Sequence, residues 1–301
     1  MAFSFVNTRR WWYALSTALV VASIAAIAVF GLKLSIDFTG GSLMELRFAQ
    51  EAPAPAEISS VLAEAGFGTV TAQPSGTHEA LVRLAELDET RHQEALAALD
   101  AAWPGVEELR FDSIGPVVGR ELRSSAFRGV VVTVVLIGLY IAWTFRRVTK
   151  PVPSWVYGVL TVVAAAHAVI IPVGLFAVLG RVLGWEVGTA FVASALTILG
   201  YSTSDAVVVF DRTRENLPKR APDESFAEVV DKSIKQTFVR SVNTSVSTLC
   251  ALFAVLVFGG DTTRPFALAL FVGILVGTYS SLFIASPLLA TVEARLRAKN
   301  A

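Results

Sequence analysis

The sequence predicts an α-helical polytopic membrane protein: six transmembrane helices and, inserted after the first, a small α+β extracytoplasmic domain. Composition is the first observation behind this reading, with 54% hydrophobic and 17% charged residues and a mean hydropathy of +0.60. The second is a set of apolar stretches long enough to cross ~30 Å of hydrocarbon, at about 12–34, 126–145, 153–179, 187–210, 241–258 and 265–290. The third is that Lys and Arg crowd into alternate connections. Net charge decides less: 25 basic residues balance 25 acidic ones, so no global bias draws the chain to nucleic acid. The single cysteine, Cys250, lies in an apolar run and cannot form an internal disulfide.

The first span follows Arg9 and Arg10 and opens on Trp11, Trp12 and Tyr13, side chains suited to a membrane interface. Its apolar run exceeds the 7–15 residues of a signal h-region and no A-x-A-like site follows, so it reads as a retained anchor within a segment 1–34. Arg146, Arg147 and Lys150 fill the turn between spans two and three. Arg212, Arg214, Lys219, Arg220, Lys232 and Lys235 fill the connection between four and five, and Arg295, Arg297 and Lys299 follow span six. The other short connections hold only Arg181 and Arg264, so the positive-inside rule places both termini in the cytoplasm.

Residues 35–122 are too many for a loop. They read as strand 42–49, helix 55–65 opened by Pro55, strand 68–73, a turn at Pro74-Ser75-Gly76, strand 79–84, helix 88–102 opened by Asp88, and strand 106–112. Leu46 and Phe48 share one strand face, and Val82 faces away from Arg83, as half-buried strands require. The order β-α-β-β-α-β is that of a ferredoxin-like split unit. Residues 123–301 complete the bundle, with a cytoplasmic connector at about 211–240. There Phe226, Val229, Val230 and Ile234 recur at helical spacing, which suits an interfacial amphipathic helix, and a solvated connector is the alternative.

The leading functional candidate is Asp205, a carboxylate at membrane depth, where an ionisable side chain is costly and marks a working site. Span four presents Thr197, Tyr201, Ser204, Asp205 and Val208 on one helical face. Span five carries Arg240, Asn243, Thr244, Ser247 and Thr248, and the two polar stripes should meet inside the bundle because lipid satisfies neither. Arg240 either snorkels to head groups or pairs with Asp205 when the carboxylate is charged. Burial favours a neutral carboxyl and a nearby guanidinium a charged one, and the balance decides whether Asp205 cycles protons. His167, alone in an Ala-Val-Ile setting, reads as a packed, hydrogen-bonded side chain with a relay role as the alternative. Asp211, Arg212, Arg214 and Glu215 read as a solvated ion-pair cluster. Span six carries small residues at Gly273, Gly277, Ser281 and Ala285, a stripe for close helix contact.

No phosphate-binding G-x-x-x-x-G-K-[ST], H-E-x-x-H or cysteine–histidine cluster is present, so neither enzyme chemistry nor a metal or cofactor is expected. A membrane aspartyl protease needs two facing carboxylates, whereas only Asp205 lies deep and Asp211 sits at the rim.

Three motifs point to a family: Asp37-Phe38-Thr39-Gly40-Gly41, Ser113-Ile114-Gly115-Pro116-Val117-Val118-Gly119, and the run from Gly200 through Asp211 and Arg212 to Asn216. With them nearly the whole chain resembles the SecD/SecF family of protein-export membrane subunits, in the resistance-nodulation-division superfamily, on its SecF side. The resemblance implies a proton-driven subunit of the bacterial inner membrane. It would act with SecD and the SecYEG channel on a preprotein, with YajC and YidC as further candidate partners. It also implies that Asp205 and Arg240 are proton-path residues. Two other readings stay open. One is an exporter of small molecules or lipids, for which 35–122 is small to build a substrate cavity. The other is a non-transporting scaffold in which Asp205 only joins helices.

Overall fold

The computed structural model describes residues 4–148, 150–260 and 262–300. Its helices and strands run in the order α1 (Arg9–Phe30), α2 (Ile36–Thr39), β1 (Gly41–Arg47), α3 (Pro55–Glu64), β2 (Thr71–Pro74), β3 (Glu79–Leu84), α4 (Glu89–Ala102), β4 (Glu107–Ile114), α5 (Pro116–Thr144), α6 (Ser154–Val182), α7 (Thr189–Asn216), α8 (Phe226–Phe258), α9 (Arg264–Ser280) and α10 (Ser286–Asn300). One turn of π-helix, Ser281–Ala285, joins α9 to α10. Among the described residues six helical segments are long and apolar enough to cross a membrane. The chain is a multi-pass membrane protein. It divides into two compact units, a helical one and one built from 33–128 together with 183–189.

In the helical unit, glycines mark where backbones approach. A Cβ at Gly174 of α6 would overlap Ser23 of α1, and one at Gly158 of α6 would overlap the Gly138 carbonyl of α5. The same holds along α9, where Gly273 leaves space for Ile198 of α7 and Gly277 would bring a Cβ to 3.3 Å from Ser202 Cβ. The small-residue stripe of span six therefore serves span four. With lipid on the outside, such close packing is the main attraction available between helices.

A second core is aromatic. Phe145 stacks on Tyr157 at 4.9 Å between ring centroids, and Phe210 meets Tyr157 edge-on at 5.3 Å. Phe5, Val6, Phe226, Val230, Ile234 and Leu289 close around them. This packing corrects the expected connector. The amphipathic stretch leads directly into span five as the opening turns of α8, capped by Ser225 and Glu228 in a reciprocal capping box, but its apolar face meets protein rather than the membrane interface. Phe226, Val229, Val230 and Ile234 are buried against protein. Their cover includes the N-terminal segment, held because Asp231 Oδ1 accepts from Ser4 Oγ (2.9 Å) and from the Val6 N–H (3.2 Å). The other Asp231 oxygen pairs with Lys235 at 2.7 Å.

The second unit holds a four-stranded antiparallel sheet in the order β2-β3-β1-β4. Met44 sits opposite Val82 on one side and Phe111 on the other. Met44, Leu46, Val82 and Leu84 bury one face against Ile58 and Leu62 of α3 and Ala95 and Leu99 of α4. Observed element ends differ from the expected ones by a few residues, as with β2 at Thr71–Pro74. Asp88 caps α4 by accepting the Arg91 N–H at 2.9 Å. Asp88→Ala should cost about 1 kcal/mol, visible as faster amide exchange in the first turns of α4 with the strand amides unchanged.

Candidate functional site

Two neighbours fix the position of α7. On one side Ile198 and Ser202 press into the glycine face of α9, and Ser281 Oγ donates to the Ser202 carbonyl at 3.0 Å. On the other side Tyr201 Oη donates to Ser245 Oγ of α8 at 3.0 Å. Ser245 Oγ is hydrogen-bonded in turn to Thr278 Oγ1 of α9 at 2.6 Å. One chain of hydroxyls thus ties spans four, five and six, in a region where lipid could satisfy none of them.

Next to this chain lies a cavity of about 110 Å³, lined on α7 by Tyr201, Ser204, Asp205 and Val208 and on α8 by Arg240, Ser241 and Thr244. Polar walls and this volume give room for a few water molecules. Asp205 Oδ2 is buried without a hydrogen-bond partner, and so are Ser241 Oγ and Ser202 Oγ. Ser241 lines the same cavity as Asp205 from the facing helix. Arg240 shares the cavity and is exposed. Among the described residues no ion pair joins it to Asp205. A buried carboxyl oxygen left unpaired is expensive, and the cavity leaves room beside it for a water or for a donor from α8.

The residues expected at the site are therefore only partly gathered. Tyr201, Ser204, Asp205, Arg240 and Thr244 come together. Asn243 and Ser247 do not line the cavity: they are exposed, and Ser247 Oγ donates back to the Asn243 carbonyl at 2.9 Å. Ser241 and Ser245 take the places expected of them. Gly200 has open space where a Cβ would stand. Asp211 pairs with Arg214 at 2.6 Å and Arg212 with Glu215 at 2.9 Å, four side chains that remain largely solvated. Such pairs contribute little to stability. His167 is buried and packs near Tyr279, with ring centroids 6.0 Å apart, but both ring nitrogens lack hydrogen-bond partners. It is packed, not hydrogen-bonded, and it does not line the Asp205 cavity.

The motif at 37–41 lies beyond the first span, because α1 stops at Phe30. Ile36, Asp37, Phe38 and Thr39 form α2, and Gly40 and Gly41 follow with φ of +76° and +120°, a region that glycine alone enters freely. A Cβ at Gly40 would stand 2.8 Å from Pro116 Cα, and one at Gly119 would stand 2.9 Å from the Gly40 nitrogen. The first two motifs are thus one packed corner. The Asp37 carboxylate reaches out of it: Oδ2 accepts from the Thr189 N–H at 2.7 Å and from Thr189 Oγ1 at 2.8 Å. Thr189 is the first residue of α7, and the preceding Gly188 has no side chain with which to cap it.

The family model described as "Protein export membrane protein SecD/SecF, C-terminal" matches residues 95–295, and the "SecD/SecF GG Motif" model matches 25–52. A protein translocase subunit SecF from Thermobaculum terrenum is 40% identical over 96% of this chain and 94% of its own length. A subunit SecDF from Thermus thermophilus is 39% identical over 99% of this chain, which spans 40% of that relative. The crystal structure of SecDF from Thermus thermophilus superposes with a TM-score of 0.84 at 36% identity, covering 97% of this chain and 39% of that one. The chain belongs to the SecD/SecF family of protein export membrane proteins.

Proposed function

We propose that this chain is the SecF-type subunit of a Sec-pathway accessory complex and that Asp205 couples proton movement to preprotein translocation. The observation that carries the reading is an unpartnered carboxyl oxygen opening on a small polar cavity it shares with Arg240. Protonation of Asp205 would release Arg240 and the polar face of α8, and deprotonation would draw them back. Each state favours a different fit of spans four and five, as a two-state transporter requires. A SecD-type partner completes the bundle in this reading, because one relative carries both names in a single chain of which this chain spans 40%. Apolar side chains exposed along α5, among them Phe127, Val131, Leu136 and Trp143, offer a face for that partner or for lipid.

The complex would sit in the bacterial inner membrane beside SecYEG, with both termini and the 211–240 connector cytoplasmic and the domain 35–122 outside. The element order and the strand order β2-β3-β1-β4 support a ferredoxin-like assignment for that domain. YajC and YidC remain candidate partners of the assembly. The test is gradient-stimulated preprotein translocation and proton flux in vesicles that carry the complex with its SecD partner. Asp205→Asn should remove the gradient-stimulated component and the flux while leaving gradient-independent translocation intact. Full stimulation in that variant would reduce Asp205 to a helix-packing residue, the scaffold reading.

A further inference from the structure

We infer that Asp37 is a positioning residue that caps the first turn of α7, the helix that carries Asp205. The inference deepens the proton-coupling reading above and rests on it for its functional consequence. The first turn of a helix leaves four N–H groups without partners, and a negative charge there is favoured by the helix dipole. Gly188 cannot supply a cap, and Asp37, from another part of the chain, supplies it through two hydrogen bonds to Thr189. The absence of a side chain at 188 is what allows this. A Cβ there would stand 2.7 Å from both Asp37 Oδ2 and Ser35 Oγ.

The cap is one end of a short strap. Leu34 and Val187 form a parallel bridge, in which the Ser35 N–H donates to the Val187 carbonyl at 3.0 Å and the Val187 N–H donates to the Lys33 carbonyl at 2.8 Å. Glu186, largely buried, pairs with Arg83 of β3 and lies 3.5 Å from Lys33 Nζ. Sheet, strap and helix start are thereby joined by backbone bonds, two ion pairs and one carboxylate, all within the unit 33–128 with 183–189. Loss of the Asp37 cap would therefore loosen the first turn of α7, where Thr189 begins the helix.

The geometry also provides the test. A Cβ at 188 falls 3.3 Å from Ser35 Cβ, just short of the ~3.5–4.5 Å usual across a disulfide. In an Asp37→Ala background the oxygen that crowds position 188 is gone, so Ser35→Cys with Gly188→Cys can replace the cap by a bond. The sole native thiol, exposed Cys250, is first replaced by serine. The complex with its SecD partner is compared reduced and oxidised by copper–phenanthroline and oxygen. Two quantities are read: amide exchange over residues 193–199, and gradient-stimulated translocation. Asp37→Ala should speed exchange by roughly 2- to 30-fold, the range of a lost helix cap, and lower the gradient-stimulated component. The oxidised pair should restore both, and the reduced pair neither. Unchanged exchange in Asp37→Ala, or no recovery on oxidation, overturns the inference. Exchange that responds as expected, in a complex whose wild type shows no gradient stimulation, upholds the strap and refutes the proton-coupling reading instead.

Discussion

Replacing Gly273 by leucine is expected to force α7 away from α9 and leave little folded subunit in the membrane. A Cβ at 273 would already overlap the Ile198 side chain, and Ile198 is 2% exposed, so it has nowhere to turn. Overpacking of a tight core costs about 1–3 kcal/mol where the neighbours can shift. Here the next turn is also closed, because Gly277 abuts Ser202, whose carbonyl is held by Ser281. Helix association in lipid depends on this backbone approach. The thermal aggregation midpoint of the purified complex should fall sharply in Gly273→Leu and recover in part when Ile198→Ala is added. A midpoint equal to wild type would mean that α7 and α9 do not need this contact.

Phe210→Ala should be comparably severe for a different reason. The ring is fully buried, 5.3 Å from Tyr157 and 6.3 Å from Phe145 at near-perpendicular angles. Emptying such a site costs about 3–5 kcal/mol, with a further ~0.5–1.5 kcal/mol from the edge-to-face pairs. The cluster gathers residues from the N-terminal segment, α5, α6, α8 and α10, so the cavity would loosen several spans together. Phe210→Leu should retain most of the stability. Denaturant titration of the purified complex, read as a shift in midpoint with unchanged slope, separates the two substitutions.

Much of this architecture is legible in the sequence because its signals are periodic and strong. Apolar runs show the spans, and the alternation around Val82 and Arg83 shows the sheet. An isolated Asp205 marks the site through its cost alone. Rotation is harder to read. Counting about 100° per residue, the stripe Arg240, Asn243, Thr244, Ser247 and Thr248 is centred roughly 60° from the face that α8 uses, which is Arg240, Ser241, Thr244 and Ser245. Polarity shows that a face is special without saying which neighbour covers it. The cover of Phe226 and Ile234 is similarly hidden, because amphipathic spacing is the same whether lipid or the segment near Phe5 fills the other side. Long-range partners such as Asp37 and Thr189 leave no local trace at all.

That last pairing has a bearing on biosynthesis. Its two residues are separated by 152 positions, and at about 5–20 residues per second the ribosome takes roughly 8–30 s to travel between them. The glycine-rich corner must therefore wait for the start of a helix that has not yet been made. Maturation of the subunit is then gated by arrival of the fourth hydrophobic segment, and a chain stalled before that point would expose an unfinished corner to quality-control proteases.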